Sequence, residues 1–142
     1  MGDPWRVAFT VPGKPIGKGR ARFARATGRA FTPAKTVNYE GLVALAAAGA
    51  MGAQPPIGHG IPLRCVMTAT FDVPASWSKR KRVDALDGTI RPTSKPDLTN
   101  VVKAVEDACN AIVWHDDSQI VDWRIVKRYG ETAGVLVEVE AL

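Results

Sequence analysis

Apolar residues alternate with polar ones in four stretches of the chain and predict four β-strands, at residues 5–11, 62–73, 119–128 and 135–141. The alternation is clearest in the second stretch, whose apolar positions are Leu63, Cys65, Met67, Ala69 and Phe71. Such a pattern is typical of an antiparallel sheet with one face in solvent. We expect the last two strands to form a hairpin around the glycines of residues 130–134.

Three further stretches have helical spacing. Thr32 and Pro33 are typical of a helix start, so we predict a helix over residues 33–50 whose Val37, Leu42, Leu45 and alanines face the core. A short helix is predicted at residues 77–86. A strongly periodic helix is predicted at residues 97–112, with a core-facing stripe of Val101, Val102, Val105, Ala108, Cys109 and Ile112.

These elements predict an α+β fold in which a mixed sheet of about four strands packs on two main helices. The length of 142 residues suits one domain, spanning residues 1–142. Residues 12–30 are rich in glycine and basic side chains, and we expect them to form a mobile basic loop.

Charge is distributed unevenly along the chain, and this points to a polyanionic partner. The net charge is +5, yet no carboxylate lies between Arg6 and Lys35, while acidic residues collect in the second half. Basic side chains in this arrangement suit phosphate binding. The candidates for DNA contact are Lys14, Lys18, Arg20, Arg22, Phe23, Arg25, Arg29, Lys79, Arg80, Lys81 and Arg82. Phe23 is suited either to stacking on unpaired bases or to anchoring the loop to the core. The cluster at residues 79–82 is suited either to phosphate contact or to a solvated helix face.

Cys65 and Cys109 lie in apolar stretches and are expected to be buried free thiols in a reducing compartment. The N-terminal residues lack the apolar core of a secretion signal, and no apolar run is long enough to span a bilayer. We therefore expect a cytoplasmic protein without a membrane partner.

The acidic residues that carry candidate chemistry fall in two segments. Asp97 follows a proline at a helix start, and Asp116 and Asp117 precede the strand at Ile120. Carboxylates brought together from both segments could hold Mg²⁺ against a DNA phosphate, with Lys103 stabilising the developing charge. Spacing alone leaves an alternative for each residue. Asp97 could serve only as a helix cap, the aspartate pair could form an ordinary acidic turn, and Lys103 could be a solvated lysine.

Several stretches of the sequence match one known pattern. Residues 95–103 (KPDLTNVVK), residues 107–108 (DA) and residues 114–121 (WHDDSQIV) follow K-P-D-x-D-N-x-x-K, then D-A-L-N, then D-D-x-Q. Residues 11–15 (VPGKP) and 19–23 (GRARF) lie before them. The central stretches resemble the RusA family of Holliday junction resolvases, and the two earlier ones resemble the opening of its phage-type members.

The resemblance implies a homodimeric, Mg²⁺-dependent endodeoxyribonuclease, with Mn²⁺ as a substitute metal, that cuts four-way and related branched DNA in symmetric strands. It implies no small-molecule cofactor, and a bacterial or phage origin. Asp97 and Asp117 match the essential aspartates, with Asp116 beside them as a metal ligand. Lys103 matches the catalytic lysine and Asn100 the motif asparagine. Thr99 departs from the pattern, because it replaces a second essential aspartate.

Two other functions stay open, and Thr99 is the reason for the first of them. The first is a catalytically weak or inactive protein that binds junctions or single strands on the same scaffold. The second is a basic module for single-stranded nucleic acid, in which the aspartates serve only as caps. Cleavage of a synthetic junction with and without Mg²⁺ separates these functions from the nuclease.

Overall fold

A computed structural model describes residues 5–19, 22–24, 26–31 and 33–142. The strands are β1 (Arg6–Pro12), β2 (Arg22–Phe23), β3 (Ala30–Phe31), β4 (Leu63–Asp72), β5 (Ile120–Gly130) and β6 (Gly134–Ala141). The helices are α1 (Ala34–Met51), α2 (Lys79–Leu86) and α3 (Leu98–Cys109). The predicted α+β class, the four main strands and the three helices are confirmed.

The main sheet has the strand order β1-β6-β4-β5. β6 pairs antiparallel with both β1 and β4, whereas β5 pairs parallel with β4 at the sheet edge. Alternate residues of β4 are buried, as its pattern predicts, and they form one core with α1 and α3.

The predicted hairpin of the last two strands is wrong, because β4 lies between them. The connection at residues 131–133 crosses the end of β4, where the Ala133 N–H donates to the Asp72 carboxylate at 3.1 Å. Gly130 allows this crossing, since a Cβ there would lie 2.5 Å from Thr70 Cγ2.

The predicted burial of α1 is wrong for Val37, Leu42 and Leu45, which are 52%, 46% and 73% exposed. The buried side is instead formed by Thr36, Tyr39, Val43, Ala47 and Met51. This helix carries only two charged residues, so its sequence distinguishes the two faces poorly.

Helix α3 follows its prediction closely. Val101, Val102, Val105 and Cys109 are buried, and both cysteines of the chain are buried free thiols, as expected. The helix ends at Cys109 rather than residue 112, because Ala111 adopts a left-handed backbone conformation with φ 67°.

Part of the predicted basic loop forms a two-stranded ribbon, in which Arg22 pairs with Phe31 and Phe23 with Ala30. Arg20, Arg25 and Thr32 lie outside the described residues, as do the side chains of Arg22 and Phe23. No helix in the described part of the chain is long and apolar enough to cross a membrane.

Candidate active site at the two ends of helix α3

Asp97 occupies the N-cap position of α3, but its carboxylate makes no capping hydrogen bond to the described residues. Its side chain is exposed, next to backbone N–H groups whose partial positive charge favours an anion. The structure therefore does not support the alternative in which Asp97 serves only as a side-chain cap. The carboxylate is instead available to an external ligand.

Residues 14–19, which we call the basic segment, lie beside Asp97, and residues 17–19 contact the N-terminal ends of α1 and α3. The Lys18 N–H donates to the Asn100 carbonyl at 2.9 Å, and the Gly19 N–H donates to Thr36 Oγ1 at 2.9 Å. Gly17 permits this close approach, because a Cβ there would lie 3.0 Å from Pro96 Cβ. Residues 17–19 are thus fixed by hydrogen bonds and close packing.

Lys18 anchors this segment with its side chain as well. Its ammonium forms ion pairs with Asp107 and, at 3.0 Å, with Glu40 of α1. Hydrogen bonding to Asp107, more than to Glu40, raises the pKa of Lys18. Because two carboxylates balance its charge, Lys18 holds the segment to both helices, and a phosphate contact by this residue stays a prediction.

The anchored segment and the start of α3 enclose a cavity of about 600 Å³. Its lining includes Asp97 and Asn100 together with four lysines, Lys14, Lys18, Lys35 and Lys95. Apart from Lys18, these lysines are exposed and form no ion pair with described residues. We call this cavity the lysine cleft. Its charge and its exposed carboxylate suit a phosphodiester.

The loop before Asp97 is held from the sheet by Lys127 of β5. The Lys127 ammonium donates to the Ser94 carbonyl at 2.5 Å and to the Pro96 carbonyl at 3.0 Å, and it lies 5.3 Å from the centre of the Phe71 ring. These contacts fix the backbone immediately before Asp97 and hence one wall of the lysine cleft.

The second acidic segment lies at the opposite end of α3. Asp116 caps a 3-10 turn at Asp117–Gln119, and its carboxylate accepts from the Ser118 N–H at 3.1 Å. This hydrogen bond lowers the pKa of Asp116. Asp117 is half-buried and accepts from Asn110 Nδ2 at 3.4 Å. Asp116 therefore organises the turn, and Asp117 faces the end of the helix.

Glu106 stands near Asp117, and burial is the main cause that raises its pKa; the nearby charges of Asp117 and Asp107 add to the effect. Trp123 Nε1 donates to its carboxylate at 3.3 Å, and Lys103 opposes the shift. The motif reasoning missed Glu106, although its spacing from Lys103 places the two side chains on one face of the helix.

Lys103, Thr99 and Asn100 are exposed on α3. At 100° per residue, about 40° separates Thr99 from Lys103, whereas Asn100 turns toward the lysine cleft. The helix face of Thr99 and Lys103 continues through Glu106 to the acidic turn. Lys103 is thus on the side of Asp117 rather than on the side of Asp97.

The expected convergence of Asp97 and Asp117 is not found within one chain. About 16 Å of helix axis separates Leu98 from Cys109, at about 1.5 Å per residue. Ligands of one Mg²⁺ lie within about 4 Å of each other, since each Mg–O bond is about 2.1 Å. No three His, Cys, Asp or Glu side chains among the described residues are grouped to hold a metal. Asp97, Asp116 and Asp117 of a single chain therefore do not fit one ion.

The basic cluster of α2 is exposed, as predicted, but its members differ. Arg80 pairs with Asp84 at 3.5 Å, and the Lys81 ammonium lies 4.0 Å from the centre of the Trp77 ring. Lys79 and Arg82 make no side-chain ion pair with the described residues. These two side chains present the least compensated charge of α2.

The fold and its sites define a small α+β protein with a lysine-lined cleft and acidic groups at both ends of α3. The family model of endodeoxyribonuclease RusA matches residues 12–140, and the chain belongs to this family of nucleases. The uncharacterized protein YqaN of Bacillus subtilis (strain 168) is 35% identical over 133 residues, covering 92% of this chain and 93% of YqaN.

Proposed function

We propose that this chain is an endodeoxyribonuclease that resolves Holliday junctions and related branched DNA by phosphodiester hydrolysis in symmetric strands. Membership of the RusA family supports the class of reaction. The observation that carries the proposal is the Asp97 carboxylate, which makes no capping bond to the described residues and lines a cleft with four lysines. Lys14, Lys35 and Lys95, which form no ion pair with described residues, bind DNA phosphates beside the carboxylate.

Lys103 has the role of stabilising negative charge on the reacting phosphate or leaving oxygen. It is exposed on the face of α3 that leads to Asp117. Asn100 has a supporting role at the lysine cleft, because its backbone carbonyl holds Lys18. Asp116 shapes the acidic turn through its bond to Ser118.

The active unit in this proposal is a pair of chains. Because one chain separates Asp97 from Asp117, a site that uses both takes each from a different copy. Two such sites, related by the two-fold axis, match the two strands that a resolvase cuts. Asp97 of one chain and Asp117 of the other would hold Mg²⁺, or Mn²⁺ in its place, and the ion would polarise a phosphate and activate water.

Mixing two inactive variants tests the shared site. Asp97→Asn and Asp117→Asn should each abolish cleavage of a labelled four-way junction while leaving its binding unchanged. A mixture allowed to exchange chains should recover about a quarter of the wild-type nicking, because half of the pairs are mixed and each has one complete site. A wild-type protein that cuts, with a mixture that stays inactive, contradicts the shared site.

Thr99 favours the alternative function, a junction-binding protein with little or no cleavage. Its exposed hydroxyl stands where the family pattern carries a carboxylate. If the alternative is right, wild-type protein binds junctions without cutting them in Mg²⁺ or Mn²⁺, and Thr99→Asp creates activity. Cleavage by the wild type, which the proposal expects, contradicts it. Linear duplex and single strands in the same assay identify a general single-strand binder.

A further inference from the structure

Gln119 is a buried polar residue, 8% exposed, between the acidic turn and the loop at residues 58–61. Its Oε1 accepts from the N–H groups of His115 at 2.9 Å and Asp116 at 3.2 Å. Its Nε2 donates to the carbonyls of Gly58 at 2.8 Å and Ile61 at 3.2 Å. All four bonds go to the backbone, two on each side.

Only an amide side chain supplies two donors and an acceptor oxygen in this geometry. Because the site is buried, each bond that is lost leaves a backbone group without its partner. The two segments also touch at the surface, where the rings of His59 and His115 stack with centroids 4.0 Å apart. That contact is exposed, whereas the amide is buried. Just before the two segments, the Ile57 N–H also donates to the buried Val113 carbonyl at 2.9 Å, so the amide extends this backbone connection into the turn.

We propose that Gln119 is a positioning residue for the acidic turn. Its amide fixes the backbone on the N-terminal side of Asp117 against the loop at residues 58–61, and it thereby sets the direction of the Asp117 carboxylate. Gln119 acts through the turn and does not itself touch the substrate. This inference rests on the proposed nuclease function of Asp117.

The test uses Gln119→Met, which keeps the length of the side chain and removes all four bonds. We expect the rate of junction cleavage to fall about 10- to 100-fold, as for other residues that orient metal ligands. The Mg²⁺ concentration for half-maximal rate should rise, and the Kd for the junction should stay within about twofold, since the lysine cleft is unchanged.

Gln119→Glu provides a second variant in case the methionine variant does not fold. A carboxylate at this position still accepts from the two N–H groups but donates to neither carbonyl. We expect it to be impaired in cleavage as well, because the loop at residues 58–61 is released. Val137→Ala is the matched control, since it removes buried methyl groups from β6, away from the turn.

Cleavage and junction binding together decide whether Gln119 positions the acidic turn. Slow cleavage with normal junction binding in a folded Gln119 variant, alongside a Val137→Ala control that cuts normally, supports the inference. Normal cleavage by a folded variant overturns it, as does an equal loss in the control. If the wild type does not cut, the proposed function fails, and hydrogen exchange then tests the positioning of the turn by itself. Faster exchange of the His115 and Asp116 amides in the Gln119 variant, but not in the control, supports positioning. Unchanged exchange overturns it.

Discussion

Individual carboxylates in this chain have different roles that their spacing does not reveal. Asp116 is bound by its own turn, Asp107 pairs with Lys18, and Asp97 makes no capping bond. The sequence predicts which acidic residues lie at a helix start and which lie in a turn, since these structures depend on neighbouring residues. It does not predict which carboxylate is already paired, because Lys18 reaches Asp107 across 89 positions.

Replacing Glu106 by glutamine should change the pH dependence of stability. Burial raises the pKa of Glu106, so the folded protein keeps a proton that the unfolded chain releases. Stability therefore falls as pH rises from the ordinary glutamate pKa through the raised one, and the penalty persists above it. Glu106→Gln keeps an acceptor for Trp123. It should be more stable than the wild type at pH values above the raised pKa, and its stability should change less with pH between the ordinary glutamate pKa and the raised one. Tm measured from pH 4 to 8 checks this; parallel curves contradict it.

Gly17→Ala should displace the basic segment. The new Cβ would lie 3.0 Å from Pro96 Cβ and 3.1 Å from Asn100 Cβ. Overpacking of this kind costs about 1–3 kcal/mol, and junction affinity should fall because the lysines move. Gly49→Ala in α1 is the control, since a Cβ there would meet no described atom within 4 Å other than those of its own helix backbone and chain neighbours. Denaturant unfolding and junction titration measure both effects, and equal behaviour of the two variants counts against a fixed segment.

At the scale of elements, hydrophobic periodicity predicted the features that depend on residues close together in the sequence, such as the existence of a helix and its buried face. Helix α3 shows its buried stripe in sequence because charged residues fill its other side. Helix α1 lacks that contrast, so the packing of Tyr39 and Val43 sets its orientation. The strand order depends on which edges pair across the fold, and two adjacent strand patterns joined by glycines do not specify that.

Strand β5 contacts both acidic segments, and Lys127 is its link to the lysine cleft. Lys127→Met should lose two bonds to the carbonyls of Ser94 and Pro96, at a cost of roughly 1–3 kcal/mol. We expect slower junction cleavage, because the backbone before Asp97 loosens. Arg124→Met, exposed on the same strand, is the control and should cut normally. Normal cleavage by both variants would show that Lys127 does not position Asp97.

At the scale of the whole molecule, four lysines line the cleft and a second basic cluster is exposed on α2. DNA binding driven by such charge releases counterions, so affinity for branched DNA should fall steeply with salt. The double variant Lys79→Ala with Arg82→Ala should reduce the slope of log K against log salt by about two for each chain, hence by about four for the pair, if both side chains contact phosphates. Arg80→Ala, which removes a side chain paired with Asp84, should change the slope less. A slope unaffected by the double variant removes α2 from the DNA surface.

The candidate site could be predicted in its parts but not in its assembly. Motif spacing identified Asp97, Lys103 and the aspartate pair, since each belongs to a local helix or turn. Asp97 and Asp117 are far apart because they lie at opposite ends of α3, and the helical pattern already predicted a helix of this length. The expected convergence overlooked that distance. Gln119 and Lys127 were not assigned roles, because Lys127 and the amide nitrogen of Gln119 bind backbone carbonyls that are distant in sequence.

The position of β6 has a consequence for synthesis of the protein. β6 leaves the ribosome after the other described strands and enters the middle of the sheet, where Val137 lies between Phe9 and Met67. Until β6 emerges, β1 has no partner among the described strands of the main sheet, and one edge of β4 lacks its hydrogen-bonding neighbour. A chain that stops before residue 134 should therefore be degraded or aggregate.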